Sequence, residues 1–287
     1  MLIREFDPWK SSLCTCPPKY SLNPYTGCDH RCVYCYITGY IKDAFHCRPK
    51  SKLLTQLKRE LRKVDSQKII SMANSSDPYP QLERILGLTR KVVHLLAREN
   101  IMFQIVTKSD LVVRDIDILK NARCCVAVTV TTMDEALARK LEPGAPPPEK
   151  RVEALKRLKE SGIPVSVRID PIIPGVTSPE VVLEKVRFSD HVTASTLKLR
   201  PDAVKRMTKI VPDVMNILKP LYTERVGNAL YLPEKMRFQI LEALGEACRE
   251  YGISFGTCRE GLKSEKTCDG SHLAHSSAPS IKVVHLF

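Results

Sequence analysis

Cys28, Cys32 and Cys35 stand at C-x3-C-x2-C spacing within NPYTGCDHRCVYCY, residues 23–36. Three thiolates in one short, turn-prone loop can converge on a single inorganic centre, and the count decides which kind. A structural zinc closes its tetrahedron with four ligands, whereas a 4Fe-4S cluster held by three thiolates leaves one iron open to a small molecule. The spacing also suits part of a zinc site completed from elsewhere, or a redox pair at Cys32 and Cys35. Gly27 allows close backbone approach, and loop amides can donate to cluster sulfides and help set the potential.

The rest of the chain alternates short apolar runs with amphipathic stretches. Runs at residues 68–73, 101–106, 124–129, 165–169 and 192–199 have strand length, and helical spacing marks residues 50–64, 82–99, 111–122, the stretch from Pro148 to Gly162, 203–219 and 234–251. Polar residues gather where the runs stop: Ser75, Ser76 and Asp77; Thr107, Lys108 and Ser109; Thr129, Thr131 and Thr132; Arg168 and Asp170; Lys198 and Arg200. In parallel α/β folds the ligand site forms at the C-terminal strand ends, so these are the candidate contacts. Ser76 or Asp77 could instead cap a helix, Lys108 and Lys198 could be solvated, and β-branched preference accounts equally for the threonines. Arg168, carried on a strand, needs a carboxylate partner. Counted as the second to sixth strands, the apolar runs predict an open six-stranded parallel α/β barrel with right-handed crossovers, and residues 253–257 read as a last short strand in the C-terminal extension. The expected organisation is an N-terminal segment at 1–18, a core at 19–200 and a helical C-terminal extension at 201–287. Cys124 and Cys125, adjacent on a strand, face opposite sides and read as core packing.

The string GC-x-H-x-C-x-YCY, with Tyr34 just before the last cysteine, resembles the cluster loop of radical S-adenosylmethionine enzymes, in particular the spore-photoproduct-lyase-like branch. SSDPYP, TKS, LEPGAPPPEKRVEALKRLKESGIPV and RIDPIIPG are similar to further strings of that branch. The resemblance implies a partial barrel in which Cys28, Cys32 and Cys35 hold a 4Fe-4S cluster. It further implies that the open iron chelates S-adenosylmethionine and that one electron cleaves the cofactor to a 5'-deoxyadenosyl radical. By the same resemblance Ser75, Ser76 and Asp77 approach the methionyl end and Lys108 its carboxylate. Thr129 or Thr131 supplies a hydroxyl, Glu142 accepts from the ribose, and Arg168 belongs to the fifth-strand motif. No flavin or nicotinamide fingerprint is present, so the electron is expected from outside, from a ferredoxin- or flavodoxin-like donor. Where the lyase carries a hydrogen-donating cysteine this chain has Asn74, so the resemblance does not extend to the same repair route.

Eleven cysteines exceed what one cluster needs. Cys14 and Cys16, in a proline-rich segment, together with Cys258 and Cys268 near the other end, make four soft ligands in loops for a second iron–sulfur cluster or zinc, with His272 as an alternative to one thiol. Cys47 and Cys248 read as ordinary residues. The odd cysteine count, the lack of an 18-residue apolar stretch and a start, MLIREFDPWKSS, without a signal-peptide core predict a soluble, cytoplasmic protein with free thiols. A net charge of +13, from 45 Lys and Arg against 32 Asp and Glu, suggests a polyanionic partner such as nucleic acid, or a generally basic surface, to which Lys205, Arg206 and Lys209 would belong. The competing class is a non-catalytic, zinc-containing nucleic-acid-binding protein.

Overall fold

In a computed structural model, residues 1–6, 11–72 and 75–276 are described. Asn74 lies outside the described residues. The apolar runs become strands of one eight-stranded sheet: β1 (Arg4–Glu5), β2 (Tyr20–Leu22), β3 (Ile70–Met72), β4 (Phe103–Thr107), β5 (Cys124–Thr129), β6 (Val165–Ile172), β7 (His191–Thr196) and β8 (Ser254–Thr257). They lie side by side in chain order. From β2 to β8 every pairing is parallel, and β1 runs antiparallel to β2 at one edge. All six residues of β5 are buried, as a central parallel strand covered on both faces requires. Cys124 packs with Val126 and Val128 in the main core, while Cys125 faces the other way onto Ile69, Met102 and Ala274.

The outer face is covered by α1 (Leu53–Leu61), α2 (Leu88–Arg98), α3 (Pro148–Glu160), α4 (Pro179–Val186) and the long α7 (Glu234–Glu250), whose apolar stripes form that main core with the sheet. Between the last two come α5 (Pro201–Ile210) and α6 (Pro212–Leu218), which build a second apolar cluster with Val33 of the cysteine loop and Leu141. Three stretches read as single helices are divided. Gly87, at a φ of +56°, separates Glu83–Leu86 from α2. Asp110–Asp115 is a 3-10 turn ahead of Ile116–Leu119. Pro212 starts α6, because it has no N–H to continue α5.

Eight strands replace the expected six-strand count because the edges come from the two ends of the chain. β1 is too short to show periodicity, and β8, read as a last short strand of the extension, joins the sheet by pairing Ser254 to Thr257 with His191 to Ala194. The C-terminal segment then turns into the barrel. The Gln104 amide donates to the Asp269 carbonyl at 2.7 Å, and Lys19 pairs with the Asp269 carboxylate. Ala274, in Leu273–Ser276, closes onto Cys125. Among the described residues no helix is long and apolar enough to cross a membrane.

Candidate active site at the strand ends

The cysteine loop is held in place by backbone and by one arginine. Gly27 has a φ of +77°, and a Cβ there would lie 2.3 Å from the His46 carbonyl, so only glycine fits this close crossing. Gly144 is equally constrained, since a Cβ would meet the Asp29 carbonyl at 2.1 Å; its amide donates to the His30 carbonyl at 2.9 Å. The Val33 amide donates to the Leu141 carbonyl at 2.8 Å. From α5, Arg206 donates to the carbonyls of Val33 at 3.1 Å and Cys35 at 2.6 Å, and to the Thr38 hydroxyl at 2.8 Å. Arg206 is therefore a clamp on the loop rather than part of a solvated basic face. Asp202, one turn earlier on α5, accepts from Thr38 and from Arg206.

So positioned, Cys28, Cys32 and Cys35 line a cavity of about 770 Å³ together with Ser75, Ser76, Asp77, Lys108, Thr129 and Arg168. Thr129 and Arg168 are direct register partners at the adjoining ends of β5 and β6. Burial pushes all three thiols up, partly offset by Lys108 at Cys32 and by Arg206 and Lys108 at Cys35. Metal binding would remove that cost by deprotonating them.

Two predicted contacts stand behind the wall rather than on it. Glu142 is 2% exposed and already engages four groups. Oε1 meets Lys108 Nζ at 3.0 Å, the Thr131 hydroxyl at 2.7 Å and the Tyr34 hydroxyl, while Oε2 meets Arg151 Nη1 at 2.5 Å. The resemblance implies a ribose acceptor here; the described residues show this carboxylate engaged by protein donors, three on Oε1 and one on Oε2. Burial alone would raise its pKa, but Lys108 and Arg151 outweigh burial and hold it well below the usual carboxylate range. Thr131 likewise serves Glu142. The motif string around Glu142 did not announce this hub, because Tyr34, Lys108 and Arg151 reach it from three other parts of the chain.

Asp77 faces the cavity, yet its oxygens join three segments. It accepts from the Tyr79 amide at 2.8 Å, the Thr107 hydroxyl at 2.6 Å and the Lys108 amide at 2.7 Å, and its carboxylate lies 3.3 Å from His30 Nδ1. Asp77→Ala is expected to lower stability by about 2–3 kcal/mol, since it strands buried donors; denaturant midpoints would measure this. Ser76 is the contrast. It is 4% exposed, and its Oγ has no hydrogen-bond partner among the described residues.

The far wall is built by β6, β7 and the segment after β8. Arg168 finds its carboxylate in Asp170 at 2.5 Å, and Asp170 also accepts from Ser195 at 2.6 Å. Lys198 is not a solvated lysine: it pairs with Glu260 at 2.8 Å. Glu260, fully buried and missed by sequence reasoning, also accepts from the Thr196 amide at 2.8 Å and from Arg237 at 3.1 Å. No local pattern marks it, because its partners lie on β7 and α7. At the mouth, Tyr36 and Tyr40 stack with ring centroids 6.2 Å apart, and Arg200 sits 5.9 Å from the Tyr36 centroid. Cys16 and Cys258 border the same cavity. His272, the alternative ligand, has its Nδ1 2.8 Å from the Thr267 hydroxyl and its ring packed edge-on against His191.

The parallel partial barrel with a three-cysteine loop at its C-terminal strand ends defines the class of protein. The sequence profile of the Radical SAM superfamily matches residues 22–183, and the chain belongs to that family. A curated relative, an uncharacterized protein of Methanocaldococcus jannaschii, is 33% identical over 174 residues; the match covers 59% of this chain and 66% of that relative, just under two thirds of its length. A radical SAM Nalpha-GlyT isomerase of Pseudomonas phage M6 is 21% identical over 254 residues, covering 83% of this chain and 53% of the phage protein. Among solved structures, a spore photoproduct lyase mutant with bound AdoMet and dinucleoside spore photoproduct superposes with a TM-score of 0.60 at 17% identity, covering 81% of this chain and 72% of the lyase, a likeness of fold.

Proposed function

We propose that this chain is a radical S-adenosylmethionine enzyme whose cofactors sit in the strand-end cavity and whose substrate is anionic and carries a nucleobase. The observation that carries the reading is that Cys28, Cys32 and Cys35 line one cavity with the polar residues at the ends of β3 to β6. When bound, a three-thiolate 4Fe-4S cluster and S-adenosylmethionine would supply one-electron cleavage of the cofactor's sulfonium. Ser76 offers a hydroxyl without a hydrogen-bond partner among the described residues. Ser75, Lys108, Thr129 and Arg168 complete the polar bed, while Asp77, Thr131 and Glu142 hold its members in position. Buried walls exclude water from a reactive intermediate. The electron comes from an external ferredoxin- or flavodoxin-like donor.

Three features support the substrate class. Lys50 and Arg200 border the cavity, beside Lys19, Lys108, Arg168 and Lys198, which are paired with Asp269, Glu142, Asp170 and Glu260. The stacked tyrosines with Arg200 at the mouth suit a base, which any π-face can meet. The superposed lyase structure holds a dinucleoside, and the phage relative is named an isomerase of Nalpha-GlyT.

Anaerobic reconstitution with iron and sulfide, followed by dithionite and S-adenosylmethionine, is expected to give 5'-deoxyadenosine, and ultraviolet-irradiated oligonucleotide to increase its yield. Uptake of zinc alone with no 5'-deoxyadenosine would replace this reading with that of a zinc-containing binding protein. Ser76→Ala is expected to leave stability unchanged, because the hydroxyl has no partner to lose among the described residues, while raising the Kd for S-adenosylmethionine about 5- to 10-fold by calorimetry.

A further inference from the structure

Residues 13–19 and 256–269 meet in a seam beside the sheet, and four cysteines meet there with them. The Gly261 amide donates to the Leu13 carbonyl at 3.1 Å, and Lys19 pairs with Asp269. The Sγ atoms of Cys16 and Cys268, 252 positions apart in sequence, lie 3.4 Å from each other. The Cys14 thiol is hydrogen-bonded to Cys16, and Cys258 is near enough to both to interact with their charge. Gly256 of β8 makes the approach possible: a Cβ there would stand 2.8 Å from the Cys268 backbone. Cys124, Cys125 and Cys248, by contrast, are fully buried in apolar core.

We infer that Cys14, Cys16, Cys258 and Cys268 hold a second iron–sulfur cluster beside the same cavity. Four thiolates give the complete ligand set that the cysteine loop lacks. Ion pairs surround them: Lys19 with Asp269, Arg168 with Asp170, and Lys198 with Glu260, and Lys198 Nζ also donates to the Cys258 carbonyl at 3.2 Å. The cationic members are placed to donate toward sulfur, a recognised control on a cluster's potential. Among the described residues no three His, Cys, Asp or Glu side chains close on one point as a mononuclear ion demands, and this holds for Cys28, Cys32 and Cys35 as well as for the new set. Cys16 and Cys258 open onto the cavity, so the second centre borders the substrate space as the first does.

The test is metal counting on the full chain, reconstituted anaerobically. The unaltered protein is expected to bind about eight irons with matching sulfide, and Cys28→Ala/Cys32→Ala/Cys35→Ala to keep about four with a cluster signal in the reduced electron paramagnetic resonance spectrum. The reciprocal Cys14→Ala/Cys16→Ala/Cys258→Ala/Cys268→Ala protein should also keep about four, with a different spectrum. Should that variant fail to fold, Cys258→Ser alone should change the second signal's g-values and leave the first alone. Loss of all iron from the loop variant would overturn the assignment. So would stoichiometric zinc at the seam, or a Cys16–Cys268 disulfide found by peptide mapping as the state of the reconstituted protein.

Discussion

Cys32→Ala protein, reconstituted anaerobically and reduced, is expected to form no 5'-deoxyadenosine above a protein-free control. The thiol is buried beneath the cavity and has neighbours at Cys28 and Cys35 on the same wall. Two thiolates cannot fix a cubane cluster with one open iron, so losing one removes the centre rather than weakening it. The same follows for Cys28→Ala and Cys35→Ala. Cys47→Ala is the control, because Cys47 lies close in sequence but does not border the cavity, and full product formation is expected from it. Iron and sulfide should fall by about four atoms per chain in the three loop variants and not in the control. Product formation by Cys32→Ala at the unaltered rate would refute the cluster assignment.

The second large effect concerns stability. Glu142 ties Tyr34 of the cysteine loop to Lys108, Thr131 and Arg151, with Glu142 and Arg151 both essentially sealed from solvent. Glu142→Gln leaves two cations facing a neutral amide in a buried site, a loss of about 3–5 kcal/mol. The pH dependence has a definite sign. The folded carboxylate's pKa lies below the unfolded value of about 4.3, so its contribution is complete above that value and is lost as pH falls toward the folded one. Denaturant unfolding of both proteins should therefore show a wide gap at neutral pH that narrows in acid. A gap that is absent at neutral pH, or that widens in acid, would contradict the role given to Glu142. Because Tyr34 sits inside the loop, the variant should also bind iron less completely.

Much of this was legible in one dimension because its physics is local. Three cysteines within eight residues must share a neighbourhood, and short apolar runs ending in polar residues describe a parallel strand that delivers side chains to a common rim. Hence Ser75, Ser76, Lys108, Thr129 and Arg168 could be singled out, and all border the cavity. Helix existence was equally readable, whereas continuity was not: a glycine at 87 and a proline at 212 redirect the chain without disturbing the apolar period on either side.

What tertiary structure alone decided is the work of residues whose partners come from distant crossovers. Arg206 reads as a surface charge until α5 lays it against the carbonyls of Val33 and Cys35. Glu142 reads as a free carboxylate until β4, α3 and the cysteine loop enclose it. Glu260 has no signal at all until β7 and α7 close around it. The meeting of Cys16 with Cys268 joins a segment ahead of β2 to one after β8, 252 positions apart in the chain. Sequence spacing by itself determined which ligands could share a loop; the burial that turns a charge into a clamp, a hub or a ligand shell was set by the packing of elements far apart in the chain.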